Sequence, residues 1–214
     1  MLITSMDELQ AYLRDAQSQR VSYISCSLTA ALSARLSDDA LTQALVIAIP
    51  MAQGIERRIL RSRGKGIQLT AKLRYRSGVR MLDYLRGTGA SLDPDEETAL
   101  QHATDLAAQF SAPDEDLRFA KLYDWVCRQI CYVNTIPGRK GYEDLVSCCG
   151  AFHNGEANCQ GFADVVYLLC GLCGIQAEYC CDRGNRRLHV WNTVCINGQW
   201  RTVDASRGAR ERSD

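Results

Sequence analysis

The residues of this chain that could do chemistry are a thiol, an imidazole and a carboxylate, which occur in that order. Cys159 lies in the motif Asn-Cys-Gln-Gly-Phe-Ala, His189 lies in Leu-His-Val-Trp-Asn, and Asp204 closes Thr-Val-Asp. A thiolate attacks carbonyl carbons, an imidazole takes up and returns protons, and a carboxylate orients the imidazole. The three side chains are therefore a candidate catalytic triad.

The sequence places Cys159 at the start of a helix. The apolar residues that follow recur at helical spacing from Phe162 to Leu172. At the first turn of a helix, backbone N–H groups and the helix dipole stabilise an anion such as a thiolate. Gly161 in this turn costs roughly 0.5–1 kcal/mol relative to Ala, a local cost that is typical of a site. We therefore expect Cys159 to be the reactive cysteine.

A β-hairpin is predicted between the imidazole and the carboxylate. Asn197-Gly198 between β-rich segments is a strong signal for a two-residue type I′ turn. In the resulting register Trp191 lies opposite Asp204, and alternation keeps His189 on the face of Trp191. His189 and Asp204 are then diagonal neighbours with Cβ atoms up to about 7–8 Å apart, a gap that their side chains can bridge. A shift of one residue in the register of the hairpin would put His189 and Asp204 on opposite faces of the sheet.

Structural interpretations of the same residues remain open. A cysteine before an apolar helix is often structural. A histidine in a strand is often a polar residue that makes ordinary hydrogen bonds and has no catalytic role. The N–H of Cys159 is one expected oxyanion donor. His153 and Trp125 are side-chain candidates for a second donor, and neither is favoured.

The cysteine content is high. The chain has 11 cysteines, an odd count, so at least one thiol has no partner within the chain. Most of them are expected to be buried thiols in a reducing compartment. Cys170 and Cys173 form a CxxC that lacks a second CxxC or a nearby histidine, so no metal and no other cofactor is expected. A zinc or redox protein is the weaker alternative.

Charge and hydropathy disfavour several classes of partner. The formal net charge is +0 at pH 7, which gives no support to binding of nucleic acid or of an anionic membrane. The longest apolar run, residues 44–52, is far shorter than the roughly 20 residues of a membrane-spanning helix. No secretory leader is visible, so a cytoplasmic protein is expected. Arginine is dense in residues 57–63 and 207–212, interpreted as a solvated helix end and a polar tail.

One soft boundary divides the chain, near the break at residues 87–93. Residues 1–88 are predicted to be a small α/β extension with the order helix, strand, helix, strand. The first helix starts after Ser5, and Pro50 either ends or kinks the second. The clearest strand of this extension covers residues 66–76, where apolar and polar residues alternate.

Residues 89–214 are predicted to form the core domain. Asp93 has the chemistry and spacing of a helix N-cap, with Pro94 and Glu96 after it, and Pro113-Asp114 opens the next helix, whose apolar residues have core spacing. Residues 134–155 are rich in Gly and polar residues and are predicted to be a long functional loop.

The motifs around Cys159, His189 and Asp204 resemble those of the transglutaminase-like superfamily, including its microbial members. Trp200, which follows the Asn-Gly turn, is similar to the Trp of the Gly-x-Trp segment that precedes the Asp in this family. The resemblance covers roughly residues 114–206. It implies a papain-like α+β core in which Cys159 opens a helix packed on an antiparallel sheet that carries the other two residues.

The resemblance implies a thiol-dependent acyl-transfer enzyme that hydrolyses a peptide or side-chain amide of a protein. Family members include cross-linking transferases, peptidases, deamidases and glycoprotein amidases, so the chemistry is better indicated than the substrate. Transfer to an amine is less favoured, because the amine must outcompete water. The alternative is a non-catalytic binding or scaffolding module on the same fold. The oligomeric state is not indicated.

Overall fold

The computed structural model describes residues 1–182 and 188–211 and is a mixed α+β structure, as predicted. The chain divides into two compact units, Met1–Tyr75 and Arg76–Asp214. This division lies ahead of the expected boundary at residue 88, because the helix Ser77–Leu85 packs within the second unit. Every helix of the described residues is too short or too polar to cross a lipid bilayer.

The first unit is a four-stranded sheet with helices packed on its buried face. Its strands are β1 (Leu2–Ile3), β2 (Tyr23–Leu28), β3 (Ala52–Ser62) and β4 (Gly66–Tyr75), and its helices are α1 (Met6–Ser18), α2 (Ala30–Ser33) and α3 (Asp38–Ala48). The strand order is β1-β2-β4-β3, and all pairs except β1 with β2 are antiparallel. Alternate residues of β2 and β4 are buried together with one face of α1 and of α3.

One prediction for this unit is wrong. Residues 57–63, interpreted as a helix end, lie on the edge strand β3 and the turn after it, and β3 pairs with β4 along its length. An edge strand pairs on one side only and tolerates polar residues on both faces, so it shows no clean hydrophobic alternation. Pro50 follows the end of α3, so it does not kink that helix.

The second unit is built around one buried helix. Its helices are α4 (Ser77–Leu85), α5 (Pro94–Gln109), α6 (Glu115–Gln129), α7 (Tyr142–Leu145), α8 (Cys148–Asn154), α9 (Cys159–Leu172) and α10 (Ala205–Glu211), and its strands are β5 (Cys131–Tyr132), β6 (Glu156–Ala157), β7 (Gln176–Asp182), β8 (His189–Ile196) and β9 (Gln199–Val203). Every residue of α9 from Cys159 to Cys170 is buried. This helix contacts α4, α5, α6, α8, α10 and the sheet strands β7 and β8.

The structure differs from the predicted loop and from the predicted polar tail. Residues 134–155 contain two short helices, α7 and α8, so the prediction of irregular structure throughout is wrong. The backbone of Gly150 packs so closely on the carbonyl oxygen of Asp144 that a Cβ would lie 2.1 Å from it. Tertiary packing therefore forms these helices where local propensity is low. Residues 207–211 belong to α10, whereas Arg212 lies outside the described residues.

The strands β7, β8 and β9 form an antiparallel sheet in that order. Ile196 pairs with Gln199 and Asn192 with Val203, which is the predicted register. The φ angles of Asn197 and Gly198 are 52° and 76°, so both central residues of the turn have the positive φ that a type I′ turn requires.

Candidate active site

Cys159 is the first residue of α9. The side chain of Asn158 caps this helix, because its Oδ1 accepts the backbone N–H groups of Gln160 and Gly161 at 2.8 and 3.4 Å. The N–H of Cys159 points out of the helix end, where no earlier turn offers a carbonyl. The Cys159 residue is 8% exposed, and its Sγ lies 3.9 Å from the carbonyl oxygen of Leu188.

Gly161 is required by close packing at this helix start. A Cβ at this position would lie 2.5 Å from the carbonyl oxygen of Leu145 and 2.9 Å from the Cβ of Ala157. The absence of a side chain therefore lets α7 and β6 approach the first turn of α9, which explains the unfavourable glycine in the helix.

His189 and Asp204 meet across the hairpin. Nε2 of His189 lies 2.8 Å from Oδ2 of Asp204, a hydrogen bond between the diagonal neighbours of the predicted register. The ring of His189 stacks on that of Trp191 with centroids 5.6 Å apart and an interplanar angle of 24°. Stacking on one side and a carboxylate at one nitrogen restrict the orientation of the imidazole.

The other oxygen of the Asp204 carboxylate is held by the start of α10. Oδ1 accepts a hydrogen bond from Oγ of Ser206 at 2.7 Å and from the N–H of Arg207 at 3.2 Å. Tyr123 donates its hydroxyl to the backbone carbonyl of Asp204 at 3.0 Å. Ser206 and Tyr123 are site-supporting residues that sequence reasoning missed. A signal for Ser206 existed, because an Asp followed by a helical segment is a typical N-cap.

The hydrogen bond between His189 and Asp204 shifts both pKa values. The Asp204 carboxylate, followed by the Cys159 side chain, raises the pKa of His189 from 6.5 to about 10, against the opposing effect of burial. Burial alone would raise the pKa of Asp204, but hydrogen bonds from His189 and Ser206 outweigh it and lower that pKa from 3.8 to about 2. The imidazole is therefore held as an imidazolium beside a carboxylate at neutral pH.

The structure brings the three predicted residues together. The Sγ of Cys159 lies beside Leu188, the residue before His189, and the Cys159 side chain contributes to the raised pKa of the ring. Because Nε2 of His189 is bonded to Asp204, Nδ1 is the ring nitrogen left to exchange a proton with the thiol. The side chain of His189 is 40% exposed, so a substrate or water can reach this ring while the sulfur stays largely covered. This arrangement can pass a proton between a thiol and a group bound from solvent.

A buried carboxylate fixes the surroundings of α9. Asp164 is 0% exposed and accepts the hydroxyl of Tyr179 at 2.6 Å, the N–H of Cys148 at 2.9 Å and the N–H of Gly78 at 3.2 Å. These donors come from β7 and from the starts of α8 and α4. One side chain thus ties three elements to α9, a role for which no local sequence signal exists.

The two predicted candidates for a second oxyanion donor, Trp125 and His153, lie on α6 and α8. Trp125 packs against the rings of Phe110 and Phe152, with centroids 6.3 and 6.2 Å apart. His153 is exposed in the last turn of α8. Within the described part of the chain, no three His, Cys, Asp or Glu side chains come together in a group that could hold a metal ion.

Comparison with protein families identifies the segment that carries this site. Residues 104–205 match the model of the transglutaminase-like superfamily, and they include Cys159, His189 and Asp204. This segment is transglutaminase-like. The family prediction is therefore confirmed, while the catalytic roles of the three residues stay a prediction. A search of curated proteins gives no match.

Solved structures similar to this chain include a TGase, with 12% identity and a TM-score of 0.44 over 86% of this chain and 50% of that one. The periplasmic domain of TgpA from Pseudomonas aeruginosa has 14% identity and a TM-score of 0.42 over 68% of this chain and 56% of that one. A cysteine protease candidate from Cytophaga hutchinsonii has 18% identity and a TM-score of 0.40 over 74% of this chain and 63% of that one. This chain therefore matches less than two thirds of each of these three proteins.

Proposed function

We propose that this protein is a thiol-dependent acyl-transfer enzyme of the transglutaminase-like type that hydrolyses a peptide or side-chain amide of a protein substrate. Cys159 is the nucleophile, His189 the base and then the acid, and Asp204 the residue that orients the ring. The observation that carries the proposal is the 2.8 Å hydrogen bond from His189 to Asp204 on a ring that also interacts with a thiol at a helix N-terminus.

The reaction follows from these positions. The Cys159 sulfur, having lost its proton to Nδ1 of His189, forms a bond to the amide carbon while the carbonyl π electrons move to oxygen. The C–N bond then breaks, and the imidazolium gives its proton to the leaving amine, which leaves a thioester. Water then gives a proton to His189 as its oxygen forms a bond to the thioester carbon. The C–S bond breaks, the carboxylic acid is released, and the sulfur takes the proton back from the imidazolium.

Water is the acceptor that the site favours. His189 is 40% exposed, so water reaches the nitrogen that must activate it. The substrate is a peptide or protein amide, and neither nucleic acid nor membrane is proposed as a partner. A cytoplasmic location, in which the 11 cysteines of the sequence stay reduced, is part of the proposal.

Thiol labelling tests the proposal with an internal control. Cys131 is exposed and serves as an ordinary thiol, whereas Cys159 is largely buried. Iodoacetamide at about pH 6 should nevertheless alkylate Cys159 faster, because free thiols with a pKa near 8.5 are protonated there and an adjacent imidazolium supports a thiolate. Peptide mass spectrometry measures both rates, and His189→Ala should slow only the labelling of Cys159.

The outcome also decides against the non-catalytic alternative. A binding or scaffolding module has no need of a reactive thiol, so equal or slower labelling of Cys159 relative to Cys131 would support that alternative. Peptide and glutamine-amide substrates, with Cys159→Ala as the control, then measure turnover directly.

A further inference from the structure

A directed chain of hydrogen bonds leads from a buried guanidinium to the neighbourhood of Cys159. Nη2 of Arg76 donates to Oε1 of Gln160 at 3.3 Å, and Nε2 of Gln160 donates to the hydroxyl oxygen of Tyr142 at 3.0 Å. Arg76 is 2% exposed and Gln160 is 6% exposed. Gln160 directly follows the candidate nucleophile.

The direction of this chain sets the role of the tyrosine hydroxyl. A guanidinium only donates hydrogen bonds, so the side-chain carbonyl of Gln160 must face Arg76. The NH₂ group of the same amide must then face Tyr142, whose oxygen accepts. The hydroxyl proton of Tyr142 is therefore directed away from Gln160 and is available to another acceptor.

The short helix α7 holds Tyr142 against the start of α9. The carbonyl oxygen of Leu145, in the last position of α7, accepts the N–H of Asn158 at 2.8 Å. The same oxygen lies against Gly161, where a Cβ would be 2.5 Å from it. Because Leu145 of α7 contacts residues on both sides of Cys159, and Tyr142 bonds to the side chain of Gln160, the Tyr142 hydroxyl is held next to the residue that follows the candidate nucleophile.

The electrostatics agree with this position. Burial raises the pKa of Tyr142, the Gln160 hydrogen bond opposes that effect, and negative charge at Cys159 raises the pKa further. The hydroxyl therefore stays protonated near neutral pH, within range of the charge on the sulfur. A neutral hydroxyl can donate a hydrogen bond to an anion that forms there.

We propose that the Tyr142 hydroxyl is the second donor to the carbonyl oxygen that becomes negatively charged when the Cys159 thiolate attacks, the first donor being the N–H of Cys159. This inference rests on the proposed function. As the S–C bond forms, the π electrons of the carbonyl move to its oxygen, which accepts both hydrogen bonds. When the C–N bond breaks, the charge returns from that oxygen and the hydroxyl proton stays on Tyr142. Gln160 and Arg76 are positioning residues that direct the donor.

The test compares two reactions of the same sulfur in the full chain. Acylation of Cys159 by p-nitrophenyl acetate creates a charged carbonyl oxygen, whereas alkylation by iodoacetamide creates none. Tyr142→Phe keeps the ring and removes the donor, so it should slow acylation by about 10²- to 10³-fold, the typical effect of removing one oxyanion donor, and leave alkylation unchanged. Tyr84→Phe is the matched control, because this tyrosine is 50% exposed on α4, and it should change neither rate.

A second variant reverses the hydrogen bond between residue 160 and Tyr142 and leaves the tyrosine unchanged. Gln160→Glu places a carboxylate that accepts from Arg76 and also from the Tyr142 hydroxyl, which turns its proton away from the site. Acylation should fall as in Tyr142→Phe. The double variant should be no slower than either single one, because both remove the same interaction.

The outcomes separate this inference from the proposed function. If wild-type Cys159 reacts quickly with both reagents and Tyr142→Phe acylates as fast as the wild type, the donor role is wrong and the proposed function stands. An equal loss of acylation and alkylation would assign Tyr142 to the thiol itself and would also overturn the donor role. A wild-type Cys159 that reacts no faster than Cys131 with either reagent would overturn both proposals.

Discussion

The two units of this protein have interiors of different chemistry. In the described residues of the first unit, Met1–Tyr75, the buried side chains are hydrophobic except that of Ser33. Among its described residues, the second unit buries nine that are polar or charged, which are Arg76, Asp83, Glu96, Ser147, Asn158, Gln160, Asp164, Asn192 and Ser206. Several of them lie in or around the first turns of α9 and α10, next to the candidate site.

This difference indicates that burial in the first unit mainly stabilises the fold, whereas the buried polar groups of the second unit also fix the positions of their hydrogen-bond partners. Apolar burial stabilises a fold without requiring particular partners. A buried polar group must be hydrogen-bonded or it costs stability, so each one specifies the position of its partners. The polar interior of the second unit therefore suits a site in which three side chains must meet at hydrogen-bond distance.

The largest expected effect separates site chemistry from stability. His189→Ala should slow acylation of Cys159 by about 10²- to 10⁴-fold, the range for general acid–base catalysis, because the proton acceptor is lost. Its free energy of unfolding should fall by no more than about 2 kcal/mol, since the side chain is 40% exposed and the variant loses mainly the hydrogen bond to Asp204. Release of p-nitrophenolate and chemical denaturation measure the two quantities.

Leu69→Ala is the control from the other unit. Leu69 is fully buried in β4, so truncation should cost about 2–5 kcal/mol of unfolding free energy. The folded variant should still acylate Cys159 at the wild-type rate. A loss of acylation in this variant, or a large loss of stability in His189→Ala, would break the contrast between the two interiors.

The next effect concerns the buried carboxylate of α9. Asp164→Ala leaves the hydroxyl of Tyr179 and the N–H groups of Cys148 and Gly78 without their acceptor. Each unsatisfied buried donor costs about 1–3 kcal/mol, so protection from hydrogen exchange should fall in peptides of residues 76–182. Tyr179→Phe removes only one donor and should cost much less. Equal exchange in Asp164→Ala and the wild type would contradict the assigned role.

The pair of His189 and Asp204 should make stability depend on pH in a defined direction. The raised pKa of His189 contributes stability that is complete below its unfolded value of 6.5 and is lost as pH rises through about 10. The lowered pKa of Asp204 contributes stability above its unfolded value of 3.8 that is lost as pH falls through about 2.

Thermal unfolding of the wild type and of Asp204→Asn measures this dependence. The difference in Tm should be largest between about pH 4 and 6.5, where both groups contribute fully, and should shrink towards pH 10 and towards pH 2. Because both side chains are partly exposed, the difference should also be smaller in high salt. A difference in Tm that is constant across this pH range would show that the pair does not titrate as described.

The smallest expected effect is at the residue that supports the carboxylate. Ser206→Ala removes the 2.7 Å hydrogen bond to Oδ1 of Asp204, a contribution of about 0.5–1.5 kcal/mol, and should slow acylation by about two- to tenfold. Ser18→Ala in α1 removes an exposed hydrogen bond of similar length, to Asp15, and should leave acylation unchanged. Equal rates for Ser206→Ala and the wild type would restrict Ser206 to capping α10.

Much of the framework could be predicted because its signals are local. Ser5 and Asp93 cap α1 and α5 as expected, and Glu96 completes a capping box with Asp93. The Asn197-Gly198 turn and the register of β8 and β9 also agree with the sequence. Hydrogen bonds within a few residues determine each of these features, so a short window of sequence contains both partners.

The features that the sequence did not predict depend on contacts between distant parts of the chain. The strand β3 was missed because its partner β4 supplies the pairing, and α7 and α8 were missed because packing at Gly150 supports them. Tyr142 and Gln160 are 18 positions apart, and no spacing rule connects them. Features of this kind depend on which surfaces meet, so local propensity does not reveal them.

By itself, the sequence determined the three candidate residues, the helix that begins at Cys159 and the hairpin that brings His189 to Asp204, since these follow from short-range geometry. Only the tertiary structure decided that α10 holds the second oxygen of Asp204, that Asp164 ties three elements to α9, and that Tyr142 bonds to the residue that follows Cys159. The physical reason is that buried polar groups take their partners from whichever segments the packing brings within about 3 Å, however distant these are along the chain.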